Sequence, residues 1–154
     1  MATEQAILHG TCVSVGGLGV LILGDPGTGK SDIALKLIDG EGYGISSKLL
    51  RSQLVADDQV VVTQRGKALT ACAPHALKGK FEIRGLGIVD VKTKPKVTLG
   101  LVVKLQAHAH IERMPDSATF EILGVSLPLI EIDGTTASAT ARLRAAVNWL
   151  VKHS

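Results

Sequence analysis

Aromatic residues and cysteines are both scarce in this chain of 154 residues. Phe, Trp and Tyr together make up 3% of the sequence, which argues against a stacking platform for single-stranded nucleic acid, because such platforms need exposed rings. The two cysteines, Cys12 and Cys72, form no Cys-x-x-Cys pair, so a zinc site is not indicated. No apolar run approaches the roughly 18 residues that cross a membrane, and residues 1–8 lack the pattern of a signal peptide. These absences favour a cytoplasmic protein with reduced cysteines.

The charge is mild and spread along the chain. Seventeen basic and 14 acidic residues give a formal net charge of +3. We therefore expect no nucleic-acid partner, whereas an anionic substrate is compatible with this charge. The densest basic group, Lys92, Lys94 and Lys96, would share one face of a strand, and we interpret it as a solvated edge. The length and a core of Val, Ile, Leu and Ala predict one strand-rich α/β or α+β domain.

Short apolar segments separated by glycine turns predict the elements of this domain. Two strands, Ile7–Ser14 and Leu18–Leu23, flank a Gly16-Gly17 hairpin turn. Helices are predicted at Ser31–Asp39 and Ser138–Lys152 from their apolar faces. Residues 81–91 mix two glycines with strand formers and predict a bent segment leading into a strand. The other predicted strands are Leu54–Ala56, Val60–Thr63, Ala68–Ala73, Val97–Leu105, Thr119–Leu123 and Leu127–Ile132.

A phosphate-binding loop is the strongest motif. Eight consecutive residues match G-x-x-x-x-G-K-[ST] at every fixed position: Gly24, Asp25, Pro26, Gly27, Thr28, Gly29, Lys30 and Ser31. Glycines let the backbone approach a phosphate closely, and the following helix adds its positive end. Lys30 would reach the β- and γ-phosphates of ATP, and the Ser31 hydroxyl would ligate Mg²⁺. Pro26 removes one N–H, which the loop tolerates only if that group is not a phosphate donor.

The P-loop makes a functional role more plausible for polar residues elsewhere in the chain. Asp57-Asp58 follows a short apolar strand, where one carboxylate could hold Mg²⁺ and the other act as a base. Without the P-loop, such a pair would usually be a turn. From the pattern alone, Glu82 and Arg84 form a surface ion pair beside a β-bulge, and His9 and Arg113 have structural or surface roles.

Taken together, these residues resemble the catalytic domain of bacterial HPr kinase/phosphorylase. The resemblance is carried by His9-Gly10, by the P-loop followed by Asp32, by Leu54–Asp58, and above all by the distinctive segment Glu82–Val91. It implies an α/β fold with a mixed β-sheet P-loop domain, similar to the core of HPr kinase and PEP carboxykinase-like proteins. It also implies a single catalytic domain over residues 1–154, a short form without the amino-terminal domain usual in the family.

The resemblance implies roles for single residues. Lys30 would bind phosphate, and Ser31 and Glu82 would contact the metal, with Asp57 supporting that site. Asp58 would take the proton of the acceptor serine, with His9 beside the catalytic acids. Arg113 would match a catalytic arginine of the family. The implied reaction is ATP-dependent phosphorylation of a serine on an HPr-like phosphocarrier, with Mg²⁺ as cofactor and a hexamer as the assembly.

Many family members also remove this phosphate with inorganic phosphate. The stretch tied to that activity, Pro-Val-Arg-Pro-Gly-Arg-Asn, is missing here, and Leu127–Asp133 stands near its place. The resemblance therefore supports the kinase reaction more strongly than the reverse reaction. Two alternatives remain open: a kinase of a small metabolite on a related P-loop fold, and a nucleotide-sensing module without catalysis.

Overall fold

The chain folds into a large mixed sheet with two helices and a separate hairpin. The structure, a computed structural model, describes residues 3–153, with side chains described as far as residue 150. Its helices are α1 (Lys30–Asp39) and α2 (Ala139–His153). The strands are β1 (Glu4–His9), β2 (Thr11–Val15), β3 (Leu18–Leu23), β4 (Ser52–Ala56), β5 (Gln59–Arg65), β6 (Ala68–Cys72), β7 (Lys80–Ile83), β8 (Gly87–Asp90), β9 (Val97–Leu105), β10 (Ala118–Ile122) and β11 (Val125–Ile132).

Nine strands form the mixed sheet, and its order decides which loops meet. The main path runs β1-β5-β6-β9-β3-β2-β4, and β11 with its partner β10 joins the far half of β9. β9 is parallel to both β3 and β11, while β2 is antiparallel to both β3 and β4. The strands β3, β4, β9 and β11 therefore point the same way, and their carboxyl ends meet at one end of the sheet. We call this the P-loop end.

Two hydrophobic cores cover the sheet. The residues of β3 alternate between them, since Val20 and Ile22 belong to the core under α1 and α2, and Leu21 belongs to the core on the opposite face. The almost wholly apolar sequence of β3 is typical of a strand that is covered on both faces. Such burial holds the loop that follows β3 on a rigid support.

The loop after α1 is fastened to α2 by a buried arginine. Arg144 is 5% exposed, and its Nη2 donates to the carbonyl oxygens of Gly40 at 2.8 Å and Leu37 at 3.3 Å. A guanidinium at a helix carboxyl end satisfies carbonyls that have no partner in the helix and faces the negative end of its dipole. Burial lowers the pKa of Arg144. This contact fixes α1, and hence the P-loop at its other end, against α2.

Three expectations need correction. The strand predicted at Ile7–Ser14 is broken at Gly10, whose N–H donates to the Asp58 carbonyl at 3.1 Å. The segment 81–91 is a hairpin of two paired strands, β7 and β8, because the two glycines lie at its turn. The three alternating lysines, Lys92, Lys94 and Lys96, lie in the connection before β9 and not on a strand face.

Across the described part of the chain, neither helix combines the length and apolarity needed to span a membrane.

Candidate functional site

The P-loop lies between the end of β3 and the start of α1. Its first half is a turn in which Thr28 N–H donates to the Asp25 carbonyl at 3.2 Å. Pro26 and Gly27 are the central residues of this turn, and Gly27 has a φ of 84°. Proline followed by a residue with positive φ is the signature of a type II turn. Pro26 therefore fits the loop because its ring occupies a position in the turn where the fixed φ is required.

The second half of the P-loop turns into the first turn of α1. Gly29 caps the helix with a φ of 94°, and Lys30 and Ser31 begin it. The N–H groups of a first helical turn have no partner within the helix and point outward along its positive end. The ammonium group of Lys30 bends back to the carbonyls of Gly24 at 2.8 Å and Asp25 at 3.2 Å. Phosphate oxygens could therefore be bound by the N–H groups of α1 and the ammonium of Lys30.

Asp57 connects the P-loop to two neighbouring segments, β2 and the hairpin β7–β8. Its Oδ1 accepts from the Ser31 hydroxyl at 2.9 Å and from the Thr11 hydroxyl at 3.1 Å. Its Oδ2 accepts from the backbone N–H of Glu82 at 3.3 Å. Asp57 is 9% exposed and Thr11 is 1% exposed, so these contacts are mostly shielded from water. This carboxylate holds the amino end of β2, the start of α1 and the hairpin β7–β8 in one arrangement.

Asp58 occupies a strained turn beside His9. Gln59 N–H donates to the Asp57 carbonyl at 2.8 Å, and Asp58 between them has a φ of 69°. A positive φ costs energy for a residue with a Cβ, although Asp tolerates it better than most. His9 Nδ1 lies 3.8 Å from Asp58 Oδ1, and these side chains are 83% and 72% exposed. The structure thus brings the predicted pair together and leaves it open to a large partner.

Glu82 and Arg84 lie on the hairpin β7–β8. The Glu82 backbone contacts Asp57, which sets this hairpin against the acid pair. The side chains of Glu82 and Arg84 are exposed, as are Leu86 at 74% and Ile88 at 72%. No bulge interrupts the hairpin register. Sequence analysis indicated an ion pair at a bulge; the hairpin instead carries a carboxylate and two apolar side chains beside the P-loop end.

The predicted magnesium site has a suitable donor set. Ser31 and Asp57 are in direct contact, and the Glu82 backbone joins them, so a hydroxyl and two carboxylates come from adjoining segments. Mg²⁺ prefers hard oxygen ligands and usually keeps positions for water and phosphate, so few protein ligands suffice. Across the described residues, no three His, Cys, Asp or Glu side chains form an all-protein metal centre. The residues present fit a metal shared with a nucleotide.

An open cavity of about 380 Å³ lies on the other side of the P-loop. The exposed Arg113 lines it, together with Glu131 at the end of β11 and Arg142 of α2. The structure shows no contact between Arg113 and the acid pair, so its predicted catalytic role stays a prediction. Sequence analysis singled out neither Glu131 nor Asp133, although Asp133 directly follows a predicted apolar strand at the end where the P-loop lies.

Asp133 fixes the wall of this cavity. Its Oδ1 accepts from Thr135 Oγ1 at 2.6 Å and Thr135 N at 2.9 Å, and its Oδ2 accepts from His108 N at 2.9 Å. These hydrogen bonds, the Thr135 hydroxyl first, lower the pKa of Asp133. The next residue, Gly134, touches the P-loop, since a Cβ built on it would stand 3.0 Å from the Thr28 carbonyl oxygen.

Comparison with known proteins places this chain in a family. The family model described as HPr Serine kinase C-terminal domain matches residues 1–154. The chain belongs to the HPr serine kinase family. The resemblance inferred from the segments around the P-loop, Asp57 and Glu82 is therefore confirmed.

Relatives within the HPr serine kinase family cover most of the chain. The HPr kinase/phosphorylase of Prosthecochloris aestuarii is 35% identical over 94% of this chain, and that of Chlorobium phaeobacteroides strain BS1 is 39% identical over 94%. The chain spans 44% of the length of each of these two relatives. A solved structure, the Hpr(Ser) kinase/phosphatase from Coxiella burnetii, matches 96% of this chain and 98% of its own, with a TM-score of 0.79 and 25% identity. The mixed-sheet α/β fold is thus shared with a family member.

Proposed function

We propose that this domain transfers the γ-phosphate of ATP to a serine hydroxyl of an HPr-like phosphocarrier protein. The observation that carries the proposal is the hydrogen bond from the Ser31 hydroxyl to Asp57 at 2.9 Å. It joins a phosphate-binding loop to an acid pair, which is the connection that phosphoryl transfer needs. The names of the relatives, HPr kinase/phosphorylase, support the choice of carrier.

The P-loop would position the nucleotide. The N–H groups of the first turn of α1 would bind the phosphates, and Lys30 would exchange its contacts with the Gly24 and Asp25 carbonyls for phosphate oxygens. Ser31 and Glu82 would hold Mg²⁺, with Asp57 orienting the Ser31 hydroxyl. When bound, the metal would neutralise charge on the β- and γ-phosphates.

Asp58 would act as the base. It would accept the proton of the carrier serine as that oxygen bonds to the γ-phosphorus and the bond to ADP breaks, so that ADP leaves with its electron pair. His9, 3.8 Å away, would orient the Asp58 carboxylate. In the reverse direction, inorganic phosphate would attack the phosphoserine and give pyrophosphate, with Asp58 returning the proton to the serine. We propose the reverse reaction only as a second activity, supported by the relatives' names.

The exposed hairpin favours a protein acceptor over a small metabolite. Leu86 and Ile88 expose large apolar surface on the same hairpin that contacts Asp57. Exposed apolar groups that adjoin a site are typical of protein-binding surfaces, whereas a metabolite needs an enclosed pocket. By the same resemblance we expect a cytoplasmic hexamer, which light scattering on the purified protein would detect.

Labelled phosphate provides the test. The protein is incubated with γ-labelled ATP, Mg²⁺ and the HPr-like protein of the same organism, and Asp58→Asn is compared with Asp39→Asn, a control at the far end of α1. We expect label on a carrier serine. The rate of labelling should fall by at least about 100-fold with Asp58→Asn and should not change with Asp39→Asn. ATP binding without labelled carrier would overturn the proposal, and label on a small molecule alone would favour a metabolite kinase. Added phosphate that releases pyrophosphate from labelled carrier would show the second activity.

A further inference from the structure

The sheet order places the acids and the cavity on opposite sides of the P-loop. Across the P-loop end, the strands run β11, β9, β3, β2 and β4. Asp57 and Asp58 follow β4, two strands to one side of β3, and the cavity lies at the ends of β9 and β11 on the other side. Since neighbouring strands are spaced about 4.8 Å apart, the acids lie roughly 10 Å to one side of the strand that carries the P-loop, and the cavity lies roughly 5–10 Å to the other.

The separation of the acids from the cavity matches the geometry of in-line phosphoryl transfer. The attacking oxygen and the leaving oxygen stand on opposite sides of the phosphorus that is transferred. If Asp58 marks the side of the acceptor, the remainder of the nucleotide leaves the P-loop toward β9 and β11. The contact of Gly134 with the Thr28 backbone makes the cavity wall continuous with the P-loop on that side.

The cavity has the size and chemistry of a nucleoside site. Its volume of about 380 Å³ falls within the range of roughly 300–1,000 Å³ that small-molecule sites occupy. Glu112, Glu131 and Asp133 offer carboxylate oxygens, which accept from ribose hydroxyls and exocyclic amines, and Arg113 and Arg142 offer planar guanidinium groups that stack on rings. Three carboxylates against two guanidinium groups suit a neutral nucleoside better than a multiply charged anion.

Two of these groups are already held in place. The Nε of Arg142 donates to Ser138 Oγ at 2.9 Å, one helical turn earlier. Asp133 is fixed by His108 and Thr135. A site whose polar groups are held before the ligand arrives loses less conformational freedom on binding.

We propose that this cavity binds the nucleoside moiety of the nucleotide whose phosphates occupy the P-loop. The inference rests on the proposed function, since it assumes that the P-loop binds a triphosphate. It assigns Glu131, Asp133 and Arg142 to nucleoside binding and leaves the P-loop to bind the phosphates.

Calorimetry with two ligands separates the contribution of the nucleoside to binding from that of the phosphates. MgATP carries the nucleoside, and magnesium tripolyphosphate carries only the phosphates. We expect the wild-type protein to bind MgATP at least about tenfold more tightly. In Glu131→Trp the indole fills the cavity, so affinity for MgATP should fall to that for tripolyphosphate, which should not change. Glu121→Trp places the same side chain on an exposed position of β10 outside the cavity and should bind both ligands like the wild type.

Each outcome decides between the proposals. Equal affinity for both ligands in the wild type, or an unchanged MgATP affinity in Glu131→Trp, overturns the nucleoside site and leaves the proposed kinase intact. Failure of both ligands to bind removes the proposed function and this inference together. If Glu131→Trp does not fold, photolabelling of the wild type with 8-azido-ATP decides. Modified peptides from residues 108–113 or 131–142 support the site, and labelling confined to other peptides overturns it.

Discussion

Replacing Asp57 with asparagine should weaken the metal site while preserving the fold. The amide oxygen of Asn can still accept from the Ser31 and Thr11 hydroxyls, now 2.9 and 3.1 Å from Oδ1. The amide NH₂ would then face the Glu82 N–H, which at present donates to Oδ2 at 3.3 Å. One hydrogen bond of three is lost and two donors confront each other, which costs about 1–3 kcal/mol. For a domain of this length that lowers Tm by roughly 2–12 °C.

The effect on activity should exceed the effect on stability. Asp57 orients the Ser31 hydroxyl, and removing such a supporting group costs about 10–100-fold in metal affinity or activity. We expect the Mg²⁺ concentration for half-maximal phosphate transfer to rise by that factor in Asp57→Asn. The assay is a magnesium titration of carrier labelling at fixed ATP, with thermal melting of the same samples. Asp39→Asn, which also removes a carboxylate from an exposed position of α1, should change neither quantity.

Two results would refute the reasoning. An unchanged magnesium requirement with a lowered Tm would show that Asp57 only joins β2, α1 and the hairpin β7–β8. An unchanged Tm would show that the Glu82 N–H contributes nothing to stability through Asp57. Thr11→Val separates the two roles further, because it removes a buried donor to Asp57 without touching Ser31, and should lower Tm with little change in the magnesium requirement.

Three further predictions follow from strain, capping and charge. Asp58→Gly should melt at or above the wild-type temperature and lose phosphate transfer, because glycine adopts the φ of 69° without strain. Asp58→Val should lower the free energy of unfolding by about 1–2 kcal/mol at the same φ. Thermal melting and carrier labelling measure both effects, and equal stability of the Val and Gly variants would contradict the argument from strain. Arg144→Met removes two hydrogen bonds from α1 and should cost about 2 kcal/mol, a Tm drop of roughly 4–8 °C. The pKa of Asp133 is lowered in the folded state, so its stabilisation is present above the ordinary carboxyl pKa of 3.8 and is lost as the pH falls through the lower folded-state value. The Tm difference between wild type and Asp133→Asn should therefore shrink as the pH falls below 3.8.

Local features of the site could be read from the sequence. The P-loop, the apolar strand before it and the helix after it depend on residues that are neighbours in the chain, and the structure confirms the strand and the helix within one residue of the predicted bounds. The pairing of Val97–Leu105 with β3 could not be read in this way. It joins segments about 80 residues apart, and any apolar strand of similar length would satisfy the same pattern.

The contacts of Asp57 show where sequence reasoning stops. The acid pair was singled out by its position after a strand, but Thr11 lies 46 residues away in the chain and has no motif around it. The Glu82 backbone contact depends on the hairpin β7–β8, which was interpreted as a bend because its two glycines lower the strand signal. Only the fold brings these groups to one carboxylate, since their spacing in the chain follows no local period.

Sheet order also explains why a single P-loop could serve two ligands at once. β3 is central, so the loop at its carboxyl end has neighbours on both sides: β2 and β4 with the acids, and β9 and β11 with the cavity. Had β3 been an edge strand, acceptor and nucleoside would have to approach from the same side, and in-line transfer would need the acceptor to pass around the nucleotide. The burial of Val20, Leu21 and Ile22 follows from this central position, which under the proposed function would give acceptor and nucleoside separate approaches to the P-loop.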